Sequence, residues 1–468
     1  MEIDLTLGFS TLENEVDNQV LPLTGQIPHW LSGTLIRNGA AKFEVGEEQY
    51  QHWFDGLAML HRFSFQRGEI VYSNKFLRGK TFNRAMAAGR IVYPEFATMP
   101  NRSRLGKIYL NASQQFTDNA SVNVTKTDGR FLAMTETPPR VEFDPTTLRT
   151  IGQFNYHDKI SGQLTTVHPH YDYQRQEEIN YITRFSISSS YNIYRIKKGS
   201  AQRQLITSVP VKYASYMHSF AITENHIILA QFPLIINHYK LLLTGTPFVQ
   251  NLQWQPERGT IFLVVHKDSG RVKGYFQAEA FFAFHHINAF EVSGDLVVDI
   301  VAYPDASIMT ALYLEKLRMK NPQLPRAEIR RYYINFTSPY ADYRLLSQDF
   351  LEFPRINYRH YNGKEYCIVY GLSDHYANGV NNKLVKLDTQ KSKTLSWYSD
   401  HQYPSEPVFV PAPEAEREDE GVVLSVVLDT QAKCSFLLVL DALSFKEMAR
   451  AQIPHPIPFT SHGQYFEN

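Results

Sequence analysis

The segment "FLVVHKDSGRVKGYF", residues 262–276, is two short apolar runs joined by a tight polar turn. The same arrangement stands in "VEFDPTTLRTIGQF" (141–154), "KLVKLDTQKSKTLSWY" (383–398) and "FLLVLDALSFKEMARAQI" (436–453). Each reads as a strand, an Asp or Lys-Asp turn, and a second strand. Further β-branched or aromatic runs bounded by Gly, Asp, Asn or Pro recur from end to end: "LIRNGA" (35–40), "RFLAMTET" (130–137), "YNIYRIKK" (191–198), "IILAQF" (227–232), "DLVVDIVAY" (295–303), "EYCIVYG" (365–371) and "GVVLSVVLD" (421–429). The fold class is therefore all-β. No fixed period relates the copies, so the chain is not a regular short-repeat array. On residues alone three architectures stay open: a β-propeller with diverged blades, a double β-sandwich and a large barrel.

A chain of 468 residues exceeds the usual single compact domain, but repeat-built β architectures reach this length as one body. No linker or low-complexity tract interrupts it, so residues 1–468 are expected to form a single domain. Aromatics make up 13 %, including 28 Tyr and 30 Phe, which suits strands. Lys plus Arg and Asp plus Glu both total 47, so the charge balance offers no footprint for nucleic acid. The two cysteines and a start without basic and apolar signal regions point to a reducing, cytoplasmic setting. One helix is expected in "PDASIMTALYLEKLRMKNPQ" (304–323), capped by Asp305 or Ser307 and stopped at Asn321-Pro322. The apolar stretch "FPLIINHYKLLLTGTPFVQNLQW" (232–254) is too broken to span a bilayer. It reads either as a buried loop or core helix, or as a patch that makes peripheral membrane contact and admits a lipophilic ligand.

Four of the 17 histidines sit among apolar or small residues: His168 in "TTVHPHYD", His218 in "SYMHSFAIT", His285 in "AFHHINAFE" and His462 in "PFTSHGQYF". Their separations exclude a zinc-finger or HExxH site, but histidines from different blades could converge on a common axis. Three acids stand in similarly dry settings: Glu136 in "AMTETPP", Glu352 in "DFLEFPRINY" and Glu406 in "YPSEPVFVP". Each could equally be a strand-end acid facing water. Beside four histidines, they suggest carboxylates that hold the imidazole N–H groups of metal-bound His.

Those motifs resemble the carotenoid cleavage oxygenases, nearly end to end. "LSGTLIRNGAAKFE", "HWFDGLAMLHRFSF", "FTDNASVNV" and "TETPPRVEFDPTTLRT" come first. The four His motifs, "EFPRINYRHYNGKEYCIVYG" and "SEPVFVP" also lie on the family pattern in order. The wording around Glu352, "RAEIRRYYI" and "EDEGVVLSVVLD" is similar to the animal-type branch. The resemblance implies a seven-bladed propeller with a loop and helix cap over a metal axis. It implies Fe(II) held by His168, His218, His285 and His462, with O₂ as cosubstrate. Glu136 would orient His218, Glu352 His285, and Glu406 His462, leaving His168 without a carboxylate. By the same pattern His285 rather than His286 is the ligand, and His168 rather than His170, while His52 is not one. Parity adds that His285 shares a strand face with Ala283 and Ala289. Thr135 would crowd an open coordination position, and Phe54 and Phe284 would line a tunnel for a lipophilic polyene. The chain has no Cys in "PEFATMPNRSRLGK", where animal relatives carry one, so membrane contact is expected from residues 232–254 alone.

The implied activity is iron-dependent dioxygenase cleavage of a C=C bond in a carotenoid or apocarotenoid to aldehyde or ketone products, with central 15,15′ cleavage to retinal as the first expectation. The alternatives on the same site are a stilbene-type alkene cleaving dioxygenase and a retinoid isomerohydrolase. A metal-free lipophile carrier would have no use for the full His and Glu set. No obligate protein partner is evident.

Overall fold

The computed structural model describes residues 3–113, 116–186 and 188–467. The four strand–turn–strand segments become the third and fourth strands of four separate sheets. In three of them the aspartate closes the turn with its own side chain. Asp144 Oδ1 accepts from the N–H groups of Thr146 and Thr147 at 2.9 and 2.7 Å, and Asp388 Oδ1 from those of Gln390 and Lys391 at 3.1 and 2.9 Å. Asp441 Oδ1 accepts from Ser444 at 2.7 Å. In 262–276 the acceptor is instead the His266 ring, which receives the Asp268 N–H.

Seven sheets of four to six antiparallel strands stand in a ring, a seven-bladed β-propeller. Blade I holds strands from residues 16–76, blade II 123–154, blade III 164–211, blade IV 221–278, blade V 286–347, blade VI 352–398 and blade VII 402–452. Both chain ends close the ring. The C-terminal strand Gly463–Glu467 pairs with Gly33–Lys42 of blade I, and the N-terminal strand Leu23–Gly25 pairs with Glu447–Gln452 of blade VII. Middle strands such as Asp295–Ala302 of blade V are buried on both faces, because each sheet is covered by a neighbour on either side. The innermost strands lie against one another around the axis: 221–222 against 286–292, 286–292 against 352–355, and 463–467 against both 123–127 and 408–411.

Long connections between strands cap one end of the axis. They include helices Lys80–Ala88 and Arg104–Ala112, which the sequence pattern did not announce, and His238–Thr244, inside the stretch read as a buried loop or core helix. Helix Lys80–Ala88 takes its N-terminal cap from elsewhere in the chain, since the Asp118 carboxylate accepts the N–H groups of Lys80 and Thr81 at 2.7 Å each. The single helix expected over 304–323 is instead two short turns, Ile308–Ala311 and Leu314–Leu317. Tyr313 is extended between them because the chain pairs there with the 51–53 segment: Trp53 N–H donates to Leu312 O at 3.2 Å and Leu314 N–H to Gln51 O at 2.9 Å. Those tertiary bonds outweigh two more turns of helix.

The 232–254 stretch also divides. Phe232 and Leu234–Ile236 are buried in the core, and only helix His238–Thr244 and its flanks reach the surface. Exposed apolar residues occur on Arg104–Ala112 as well, where the sequence reading had none. No helix among the described residues is long and apolar enough to cross a membrane.

Ring closure leaves no room beside Gly463. A Cβ there would stand 2.5 Å from Ile36 O and 2.6 Å from Arg37 Cδ. Gly463→Ala is expected to destabilise the protein by about 1–3 kcal/mol, read as a lowered midpoint of chemical unfolding.

Candidate metal centre

Each of the four histidines stands beside an innermost strand. His462 immediately precedes Gly463–Glu467, and His285 immediately precedes His286–Val292. His218 lies just before Ala221–Ile222, and His168 lies between Leu164–Thr165 and His170–Asp172. Blades I, V, IV and III thus each deliver one imidazole to the axis. One nitrogen of each falls within 4.8 Å of the corresponding atoms of the others. His168 Nε2 and His218 Nε2 are 3.1 Å apart, and His285 Nε2 and His462 Nε2 are 3.3 Å apart.

Three of the rings are held from behind by carboxylates. His218 Nδ1 lies 2.7 Å from Glu136, His285 Nδ1 2.6 Å from Glu352, and His462 Nδ1 2.7 Å from Glu406. Buried phenols complete two of the acids: Tyr216 donates to Glu136 at 2.9 Å and Tyr303 to Glu352 at 2.9 Å. Glu406 pairs with the buried Arg37 guanidinium, which also ties to Thr460 Oγ1 and Ser461 O, and it lies 3.8 Å from Arg355. Burial works against ionising Glu406, yet Arg355, His462 and Arg37 together hold it far below the usual carboxylate range. Burial likewise opposes ionisation of Glu352. His285, the Phe353 N–H and the Tyr303 hydroxyl outweigh it and keep its carboxyl low.

This arrangement fixes the tautomers. An ionised carboxylate only accepts, so the Nδ1 it faces must carry the proton and Nε2 must present a lone pair. Burial, followed by the repulsion of the neighbouring imidazoles, keeps His168 well below the ordinary range, and burial takes His462 down to about 4. With each Nδ1 set against its carboxylate, the Nε2 atoms of His285 and His462 face each other across 3.3 Å. Two acceptors at that distance repel unless a cation lies between them. Ligand nitrogens about 2.1 Å from one ion and at right angles stand roughly 3.0 Å apart, so the spacing fits a divalent first-row metal. The donor set is all imidazole, which suits such an ion.

Local backbone explains two of the placements. Phe353 adopts φ 52°, an unusual conformation for a large residue, where the pairing of strand Glu352–Arg355 slips. That bulge turns Glu352 onto His285 and sets the Phe353 ring 5.3 Å from the His285 ring and 5.4 Å from that of His462. At 285–286 the adjacent histidines face opposite ways, as parity requires. His286 leaves the axis and meets Ser219 Oγ at 2.8 Å. The pairing shifts between His286 and Asn288, however, so the expected common face of His285 with Ala289 does not follow from alternation. His170 is occupied by Tyr358 OH and Phe220 O, and His52 by Met309 O, away from the cluster.

Two apolar cavities flank the histidines. The first, about 110 Å³, is lined by Trp53, Phe284, Phe353 and Phe459 among others, and reaches His285 and His462. The second, about 300 Å³, is lined by residues that include Phe96, Phe185, Phe248, Thr135 and Glu136. Phe54, Val122 and His218 belong to both, so the cavities meet beside the cluster. Of the residues named from sequence, Phe54, Phe284 and Thr135 all line this space. Arg37, Tyr216, Tyr303 and Phe353 were missed. A lone Arg inside "LIRNGA" was a readable signal of a buried ion pair, whereas the tyrosines lay unmarked among many.

Glu352→Gln preserves shape but removes the charge that fixes the His285 tautomer. It is expected to weaken metal binding about 10–100-fold, measured by competition with a chelator.

The family described as retinal pigment epithelial membrane protein matches residues 9–467. The β,β-carotene 15,15′-dioxygenase of Gallus gallus is 34 % identical, with 94 % of each chain covered. The mitochondrial carotenoid-cleaving dioxygenase of Mustela putorius furo is 33 % identical, covering 94 % of this chain and 92 % of that one. Among solved structures, a variant of Synechocystis apocarotenoid oxygenase matches with a TM-score of 0.88 at 24 % identity, covering 99 % of this chain and 98 % of that one. The cobalt-substituted form of that protein matches over the same shares at the same identity, with a TM-score of 0.89. These two likenesses speak to the fold. With a family match over almost its whole length and relatives a third identical across it, the chain belongs to the retinal pigment epithelial membrane protein family, that of the carotenoid cleavage oxygenases.

Proposed function

We propose that the protein is an Fe(II)- and O₂-dependent dioxygenase that cleaves a C=C bond of a carotenoid or apocarotenoid, with central 15,15′ cleavage as the bond position its relatives' names support. The observation that carries this reading is the convergence of four imidazoles where two apolar cavities meet. Both oxygen atoms enter the products, so one alkene and one O₂ give two carbonyls.

His168, His218, His285 and His462 would hold the metal, and ferrous iron there supplies activation of O₂ toward the double bond. The chain's own residues do the rest. Glu136, Glu352 and Glu406 keep three Nδ1 protons in place and so keep the lone pairs directed inward. Phe54, Phe284, Trp53 and Phe353 grip a flat, rigid polyene by ring contact and exclude water from it. Thr135, next to Glu136, narrows the space on the second-cavity side of the cluster. No side chain needs to accept or deliver a proton. The stilbene and isomerohydrolase readings use the same site, but the named activities of the curated relatives favour carotenoid cleavage.

Peripheral membrane contact belongs to the same proposal. Helices Arg104–Ala112 and His238–Thr244 pack together, joined by Asn111 Nδ2 donating to Leu241 O at 2.9 Å. They expose Leu105 (79 %), Tyr109 (66 %), Tyr239 (54 %) and Leu243 (69 %). Arg102, Arg104 and Lys240 are exposed beside them. Apolar tips ringed by cations suit an anionic bilayer surface. On their inner side the same helices contribute Leu110, Leu241 and Leu242 to the second cavity, giving a lipophile a route from bilayer to metal.

Protein reconstituted with Fe(II) is expected to convert β-carotene to retinal in air and not under argon, with chelation abolishing turnover. His285→Ala should lose bound iron and at least about 10³-fold in rate, while His286→Ala keeps both iron and most activity. Equal damage from the two variants would remove the ligand assignment. Uncut carotenoids from iron-loaded protein would remove the substrate class. Separately, Leu105→Ser with Leu243→Ser should reduce sedimentation with anionic vesicles several-fold and leave turnover in detergent unchanged.

A further inference from the structure

Three of the imidazoles at the axis are held by carboxylates, and His168 is not. Among the described residues its ring meets one hydrogen-bonding atom, His218 Nε2 at 3.1 Å. With no such group behind Nδ1, the direction of its Nε2 depends on where the main chain points the Cα–Cβ bond. That stretch of main chain is firmly held. Thr166 Oγ1 accepts the His168 N–H at 3.0 Å. Arg140 Nη2 and Asn180 Nδ2 donate to Thr166 O at 3.4 and 3.2 Å, and Asn123 Nδ2 donates to Val167 O at 2.8 Å. Pro169 restricts the backbone of His168 from the other side. Thr166, Arg140, Asn180 and Asn123 are all buried.

The Thr166 hydroxyl makes a second bond. It accepts from His168, and its own proton goes to His218 O. One hydroxyl thus joins the backbones of two ligands from blades III and IV, whose rings are 4.8 Å apart. Arg140 closes the circuit. Its Nη1 donates to Thr135 O at 2.8 Å and to Thr137 O at 3.2 Å, on either side of the Glu136 that faces His218 Nδ1. A methyl in place of the hydroxyl would leave a buried N–H and a buried carbonyl without it. We propose that Thr166 is the positioning residue for His168, setting its Nε2 beside that of His218 through the main chain. Arg140 is the brace that ties Thr166 to the Glu136 segment. The inference rests on the metal-centre reading and adds that the ligand without a carboxylate is placed from its backbone.

The test uses the full chain loaded with Co(II), whose absorption bands report ligand geometry, with affinity measured by competition with a chelator. Thr166→Val keeps the shape and removes the hydroxyl. It is expected to weaken Co(II) binding about 10–100-fold and to shift the bands, whereas Thr166→Ser should recover most of the affinity. Thr165→Val is the control. It also deletes a buried hydroxyl, one that donates to Tyr181 O at 2.7 Å, and should lower the unfolding midpoint with Co(II) affinity unchanged. Arg140→Lys keeps the charge but not the reach to three carbonyls. It should weaken binding in the same direction, and it carries the test should the valine variant not fold. Unchanged affinity and bands in Thr166→Val, or equal losses in Thr166→Val and Thr165→Val, overturn the inference while the metal centre stands. An unaltered protein that binds no Co(II) overturns both.

Discussion

Everything at the axis depends on where three protons sit. Glu136, Glu352 and Glu406 each face an imidazole Nδ1 at 2.6–2.7 Å, and a carboxylate in that place leaves the ring no choice of tautomer. The lone pairs then point inward, where they repel one another in a dry site. That repulsion is the energetic case for a cation, and charge counting agrees with it. Of the three acids, Glu406 has Arg37 as an ion-pair partner, whereas the donors to Glu136 and Glu352 are imidazoles, phenols and a backbone N–H. A dication at the convergence balances those two negative charges through the rings.

The propeller meets this demand economically. A ligand set separated by 50, 67 and 177 residues along the chain could not come from one hairpin. Innermost strands that crowd one axis bring such residues together without long-range strain. Closure of the ring also reaches the site directly. His462 stands one residue before the strand that zips onto blade I, and Arg37 in the paired strand of blade I holds Glu406, the Thr460 hydroxyl and the Ser461 carbonyl. Fold closure and metal geometry are therefore one interaction seen from two sides: loosening the terminal strand moves an imidazole.

Sequence reading recovered what is local. The Asp-turn hairpins were visible because Asp144, Asp388 and Asp441 make their turns with their own side chains. The four histidines and three acids stood out because polar groups in apolar runs need a reason. The number of blades, the pairing of each Glu with its His, and the choice of His285 over His286 came from family resemblance. Parity supported that choice only up to the bulge that follows. What escaped was set by tertiary partners: a helix capped by Asp118 from 37 residues away, a helix broken at Tyr313 by the 51–53 segment, and the tyrosines behind Glu136 and Glu352. For the 232–254 segment burial and surface contact stood as alternatives, and its division between them was invisible, since the same apolar run serves a core strand and a surface helix.

The two arms of the cavity give the centre a direction. On one side of His218 lies a wall built by the propeller itself, with Phe284, Phe353 and Phe459 beside the cluster. On the other lies a wall built by the cap, with Leu110, Leu241 and Phe248 under helices whose outer faces carry exposed Leu and Tyr. A ligand that entered through the cap would pass the imidazoles before it reached the first cavity. Position along a polyene would then be fixed by how far its leading end could travel. In such a tunnel, selection of the bond would be a matter of ligand length, set by the far wall of the first cavity rather than by the histidine cluster.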